Sequence, residues 1–275
     1  MIVDGHVHLN NYHEDATETV DRCLADLELA MRRNRVDLAL VLTSYKVTAG
    51  RPSVQRVIEA TRDRPHLYVV AGLSYESFSP VDLEALAEPV RDGKVCGLKL
   101  YPGYEAFYPN DPKWEPAYRF AAEHRIPVMI HTGDTYSASG KLKYAHPLHV
   151  DEVAVDHSDV SFVICHIGNP WIRDCMEVVY KNANVFTDIS GLVLGAFEDR
   201  FESYMRKQVQ EMLLYGVEPD RVLFGSDWPL ASIESHLDFL RDLAVPAHDL
   251  QKILSENAIR LFGLDPARSL IERPR

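Results

Sequence analysis

The chain has 275 residues, with 41 acidic against 29 basic side chains and a formal charge of −12 at neutral pH. Such a surface repels phosphate backbones and anionic lipid, so neither nucleic acid nor a membrane is an expected partner. No apolar run approaches the ~20 residues of a membrane span, and the opening MIVDGHVHLN lacks the basic-then-apolar pattern of an export signal. The four cysteines, Cys23, Cys96, Cys165 and Cys175, form no CxxC pair. The expectation is a cytoplasmic protein whose cysteines are small buried hydrophobes.

In chain order, short β-branched or apolar runs alternate with longer amphipathic stretches. The runs are Ile2–His8, Leu38–Thr43, Leu67–Leu73, Val95–Tyr101, Pro127–His131, Val160–His166, Asn184–Ile189 and Arg221–Asp227. Each suits a strand and is too short for an ordinary helix. The helix-like segments between them include Ala16–Asn34, Pro52–Asp63, Pro80–Asp92, Glu115–His124 and Phe201–Tyr215. Near-continuous apolar runs suit strands covered on both faces. Strand alternating with helix implies parallel pairing through right-handed crossovers. Eight such units predict an α/β fold, a (β/α)8 TIM barrel, as a single domain over residues 1–275. An open doubly wound sheet is the alternative, but no GxGxxG follows the first strand. Two segments interrupt the alternation: Tyr101–Pro116 after the fourth run and Thr132–Lys143 after the fifth. Both fall where barrel active-site loops lie, and could wall a pocket or simply cover the rim.

The histidines are placed non-randomly. His6 and His8 lie two apart at the end of the first run, so a regular strand points both to one face, with Asp4 one step deeper. His131 ends the fifth run, His166 the sixth and Asp227 the eighth. In a parallel barrel these strand ends converge on one mouth. Several imidazoles facing one cavity are costly without an ion to satisfy them. Imidazole and carboxylate donors suit Zn²⁺ first, and also Mn²⁺, Fe²⁺ or Co²⁺. A bound cation brings water within reach of deprotonation at neutral pH. Asp227 is then placed to shuttle the proton, and His166 to hydrogen-bond the water or a developing oxyanion. Asp4 is a candidate acceptor for an imidazole N–H. Cys165 precedes His166 and is expected on the opposite face of the strand.

Together, VDGHVH, the histidine after the fifth strand, HIG after the sixth, GSDWP after the eighth and the terminal ENAIRLFGL resemble the amidohydrolase superfamily. The likeness is to its amidohydrolase 2 branch, the metal-dependent TIM-barrel hydrolases related to aminocarboxymuconate-semialdehyde decarboxylase. The resemblance implies that His6, His8, His131 and Asp227 ligate a single metal and that His166 positions water or substrate. Because the HxH begins at residue 6, it also implies the barrel-only type without an added β-sandwich.

Lys99, in GLKLYPG, has two readings under that resemblance. Carboxylated, it would bridge two metals; uncarboxylated in a single-metal site, it would bind a substrate carboxylate, and the branch favours the second. A Schiff-base role is the aldolase-like alternative. By position, Tyr101, Tyr104, Tyr136, Trp171, Arg173 and Trp228 are further candidates for the pocket wall, with Arg173 able to grip a carboxylate through two bonds. The expected activity is metal-dependent hydrolysis of a small lactone, amide or ester, with non-oxidative decarboxylation of an aromatic or unsaturated acid as the alternative. The expected partner is a small molecule, possibly a carboxylate, and barrels of this kind often form homodimers.

Overall fold

Alternation within each run sorts its side chains into two layers. In Leu38–Leu42 (β2), Leu38, Leu40 and Leu42 enter an inner cluster with Val3, Tyr68, Val70, Met129, Val163 and Leu223. Ala39 and Val41 join the outer cluster that packs beneath the helices. Burial on both faces is what a parallel sheet demands. A computed structural model describes residues 1–12 and 20–271 of the chain. The remaining strands are β1 (Val3–Val7), β3 (Leu67–Gly72), β4 (Val95–Leu100), β5 (Val128–Ile130), β6 (Phe162–Ile164), β7 (Val185–Asp188) and β8 (Val222–Leu223). They pair in sequence order, each parallel to the last. Gly5 N–H donates to Phe224 O (2.9 Å), Asp227 N–H to His6 O (2.8 Å) and His8 N–H to Trp228 O (2.8 Å), which joins β1 to the β8 end of the sheet and makes a TIM barrel.

Helices α1 (Val20–Asn34), α2 (Val54–Ala60), α3 (Pro80–Arg91), α4 (Glu115–His124), α5 (Leu148–Asp156), α6 (Ile172–Lys181) and α7 (Asp199–Tyr215) fill the crossovers, and α8 (Ile233–Arg241) follows β8. Ser53, Ser79 and Ser232 cap α2, α3 and α8, each accepting a backbone N–H from the first turn. The expected helix from residue 16 is observed from Val20; residues 16–19 lie outside the described residues. After α8 come α9 (Ala247–Gln251), a π turn (Lys252–Glu256) and α10 (Asn257–Phe262). Ala258 and Phe262 of α10 join the inner cluster at the N-terminal end of the barrel. A side chain on Gly97 would meet the Phe262 ring at 3.2 Å, so β4 gives up its own Cβ there to admit the ring.

Two irregularities decide what faces inward. On β1 the register slips between Asp4 and Val7, and on β4 between the partners of Val69 and Val70. Each is the signature of a β-bulge, an extra residue that re-aims the side chains beyond it. Asp4 therefore pairs with Ala39, an outer-layer residue, while Val7 pairs with Val41, also outer, leaving His6 and His8 for the mouth. Beyond the β4 bulge, Leu98 and Leu100 enter the outer cluster and Lys99 turns inside, 1% exposed. The eighth run pairs over only two residues, so Asp227 stands four residues past β8, not at its end. No helix among the described residues is long and apolar enough to cross a membrane.

Candidate active site

His6 is 1% exposed and donates from Nδ1 to Asp188 Oδ2 (2.9 Å); His8 donates from Nδ1 to the Leu42 carbonyl (2.8 Å). A ring whose single proton is on Nδ1 keeps its lone pair on Nε2. The two Nε2 atoms lie 3.8 Å (His6) and 3.1 Å (His8) from Asp227 Oδ1. All three ligand atoms fall within 4.8 Å of one another, and all three residues are buried. Lone pairs on nitrogen and a carboxylate oxygen repel at such distances, and a shared cation removes the repulsion. The separations are those of ligands about 2.0–2.2 Å from one ion. The donor set fits a divalent metal.

Asp188, at the end of β7, is the hub beneath this cluster. Its Oδ1 accepts the backbone N–H of His166 (2.8 Å) and of Ser190 (3.1 Å), and also the Ser190 hydroxyl. One carboxylate thus fixes the tautomer of His6 and the turn that carries His166. The expected acceptor, Asp4, does not take an imidazole N–H. The β1 bulge aims it at Ser226, whose N–H (2.9 Å) and Oγ (2.6 Å) it accepts at the seam between the first and last strands. Asp188 carries a related sequence signal, an acidic residue one short of the end of the seventh apolar run.

His166 reaches the mouth by leaving the strand. His166 (φ 61°) and Ile167 (φ 46°) are left-handed, and the His166 Nδ1 donates to Ser190 O (3.0 Å), so Nε2 is left as an acceptor. Its ring lies 4.9 Å from His6 and 5.1 Å from His131, centre to centre. The expectation for Cys165 is overturned: alternation from Val163 keeps Cys165 in the inner cluster, because it is His166 and not Cys165 that departs from strand geometry. The Lys99 Nζ donates to Cys165 Sγ at 2.6 Å. Cys165 Sγ, His6 and Asp188 also present atoms within 4.8 Å, but there Lys99 Nζ already donates to the sulfur. His131 donates from Nε2 to Asp134 O (3.0 Å), which leaves its lone pair on Nδ1; it stands beside the His6–His8–Asp227 group rather than within it.

Electrostatics prepare the group for a cation. Burial pushes His6 down to about 4, and moves His131 and His166 in the same direction, so these imidazoles are neutral near pH 7. Burial alone would raise Asp227 and Asp188. For Asp227 the adjoining rings of His8 and His6 outweigh it, and for Asp188 the contact with His6 does, so both carboxyls sit well below the ordinary range. Asp4 moves the other way: burial pushes it up to about 7 against its bonds to Ser226.

The cavity over the cluster is lined by His6, His8, Lys99, Tyr101, Tyr104, Tyr136, His131, His166 and Asp227, and Trp228 is not among its lining residues. Trp171 and Arg173 are not brought there. Trp171 packs on His146 (4.7 Å), and the Arg173 side chain is 77% exposed and bonded to Glu211 (2.7 Å), because it lies on the outer face of α6, whose buried face carries Ile172, Cys175 and Met176. The guanidinium at the cavity is Arg51, from the loop after β2. It donates to Ser44 Oγ (3.3 Å) and lies against the rings of Tyr12 (5.5 Å) and Tyr45 (5.9 Å). Nothing in TSYKVTAGR marks Arg51 locally; only the convergence of the strand ends brings it in.

A parallel eight-stranded barrel with imidazoles and carboxylates gathered at its C-terminal mouth defines a TIM-barrel enzyme of metal-dependent type. Residues 3–264 match the sequence model of the Amidohydrolase family (amidohydrolase 2), and the chain belongs to that family. It is 22% identical to γ-resorcylate decarboxylase of Rhizobium sp. (strain MTP-10005) over 192 residues, 60% of this chain and 59% of that enzyme, so less than two thirds of the relative is spanned. Among solved structures, a candidate 2-pyrone-4,6-dicarboxylic acid hydrolase of Pseudomonas putida superposes with a TM-score of 0.70 at 17% identity, over 96% of this chain and 98% of the other. A dihydroxybenzoic acid decarboxylase of Polaromonas sp. JS666, with bound manganese and the inhibitor 2-nitroresorcinol, gives 0.67 at 14% identity, over 96% and 97%. At such identities the superpositions speak for the fold.

Proposed function

We propose that this protein hydrolyses a small lactone, ester or amide that carries a carboxylate, using one divalent cation held by His6, His8, His131 and Asp227. The observation that carries the reading is the approach of Asp227 Oδ1 to His8 Nε2 (3.1 Å) and His6 Nε2 (3.8 Å) at the floor of the cavity. When bound, the cation supplies Lewis acidity, polarising a carbonyl and acidifying water. Asp227, held ionised by its imidazole neighbours, takes the proton of the attacking water and returns it to the leaving oxygen or nitrogen. His166, neutral and with Nδ1 committed to Ser190, offers Nε2 as an acceptor that orients the water or a substrate hydroxyl. Arg51 and Lys99 are the cations available to a substrate carboxylate, replacing the Arg173 expected from sequence. The match to a decarboxylase sequence supports the second reading, loss of CO₂ from an aromatic or unsaturated acid on the same residues. The protein is proposed to act in the cytoplasm, as a homodimer.

A panel of lactones, esters, amides and aromatic carboxylates, run on chelated and metal-reconstituted protein, separates these. Hydrolysis that vanishes on chelation and returns with about one ion per chain is expected. The Asp227→Asn variant should lose about 10²–10⁴ in kcat. Full turnover by an Asp227→Asn protein that still holds its metal would remove the mechanism, and CO₂ release without oxidant would select the second reading.

A further inference from the structure

The mouth is not one pocket but two lobes that share a floor. His131, His166 and Asp227 line both. Toward β1, β2 and β4 the wall is polar and cationic, with Arg51 and Lys99. Toward β7 the wall changes character. The loop after β7 runs Gly-Leu-Val-Leu from residue 191, and Leu192, Val193 and Leu194, with Phe201 from the first turn of α7, border the second lobe alone, while Leu230 lines both. Leu194 and Phe201 are 56% and 55% exposed there. Asp134, Thr135 and Asn169 form the opposite, polar side. Large apolar side chains left in water at the edge of a concave site mark a place where something apolar is received.

From this we infer that the substrate is amphipathic: a carboxylate facing Arg51 and Lys99, the reacting group over Asp227 and His166, and an alkyl or aryl substituent extending over Leu194 and Phe201. The inference rests on the proposed reading only for which end carries the reacting bond. The occupant follows from continuity and charge. The apolar lobe opens directly onto the floor that holds the donor cluster, while the cationic side chains line the other lobe alone, so an anion placed at Arg51 directs the rest of a small molecule away across the floor. A short, uniformly polar acid would leave Leu194 and Phe201 in water and gain nothing from them.

Binding of benzoate and 4-butylbenzoate to the metal-loaded protein, measured by titration calorimetry, tests this without any turnover. The butyl compound is expected to bind about tenfold tighter or more, short of the full transfer gain of four methylenes because the lobe is half open. In the Leu194→Ser, Phe201→Ala double variant the ratio between the two ligands should fall toward one. Arg51→Gln should weaken both ligands while keeping the ratio. Thermal midpoints of the variants confirm that each is folded. Equal affinities in the unaltered protein, a ratio that survives the double variant, or no binding of either ligand each overturns the inference. A clear butyl preference in a protein with no metal-dependent turnover would instead defeat the hydrolytic reading and leave the apolar lobe standing.

Discussion

Asp188 shows how much a single carboxylate can organise. It binds the His6 imidazole through one oxygen and the His166 backbone through the other, so the two rings are set by one buried group. Removing its charge while keeping its shape isolates that role. Asp188→Asn should still fold, but an amide cannot be relied on to hold His6 in the Nδ1-protonated tautomer. Metal affinity is expected to fall about 10–100-fold, measured by competition with a calibrated chelator. An unchanged affinity would mean that His6 is oriented by packing alone. At this scale the sequence was partly legible. His6, His8, His131, His166 and Asp227, picked out by their place at the ends of apolar runs, all line one cavity. Arg173 and Trp171 were misplaced because following a strand says nothing about which way the next helix turns its first residues. Arg51 was missed because a lone arginine in a loop has no periodicity to read.

The elements that deliver these residues depend on backbone that departs from regularity, which no hydrophobic pattern encodes. The slip on β1 separates Asp4 from His6 and His8, which simple alternation would put on one face. The last run pairs over two residues, and Asp227 is presented by a left-handed backbone at φ 68°. Opposite it, Gly191 (φ 56°) has no room for a side chain: a Cβ would lie 2.7 Å from Asp227 Oδ2 and 3.0 Å from His166 Nδ1. Gly191→Ala should therefore displace both residues. The left-handed backbone costs about 1–2 kcal/mol, a modest loss of stability, whereas turnover should fall at least tenfold. The comparison to make is kcat against the denaturant midpoint; a drop in the midpoint with kcat intact would show that the loop, not the site, absorbs the methyl group.

A second element-level device lies at the opposite end of the barrel. Lys94, just before β4, donates to the carbonyls of Leu67 (2.7 Å) and Arg64 (3.3 Å) and so ties the entry of β3 to that of β4. Burial pushes its ammonium down to about 8, from an ordinary 10.5. Below the folded value the lysine is charged in both states and its burial penalty is constant. Between about 8 and 10.5 the native chain has released a proton that the unfolded chain still holds, so stability rises with pH across that window. Relative to Lys94→Met, the unaltered protein should gain stability between pH 7 and pH 9.5 in paired denaturation curves. A difference independent of pH would place the Lys94 ammonium in water.

For the whole molecule, the fold was the most legible level, because eight apolar runs separated by amphipathic stretches leave few closed arrangements, and the observed strand order is the simplest of them. What that arrangement leaves unresolved is electrostatic. Neutral buried imidazoles and two ionised buried carboxyls crowd the mouth, and the seam between β1 and the β8 end of the sheet passes directly through them, since Asp227 N–H bonds His6 O. A cation at His6, His8 and Asp227 therefore ties the first strand to the last and should stabilise the entire barrel, not just the site. At a metal concentration about 100 times Kd, linkage supplies about 2.7 kcal/mol, and for a chain of this size each kcal/mol is roughly 2–4 °C. Reconstitution of chelated protein with Zn²⁺ or Mn²⁺ should raise Tm by roughly 5–10 °C. In His8→Ala the same additions should raise it far less, because the ring closest to Asp227 is gone. A metal-dependent rise of equal size in both proteins would move the ion away from the seam and onto other donors.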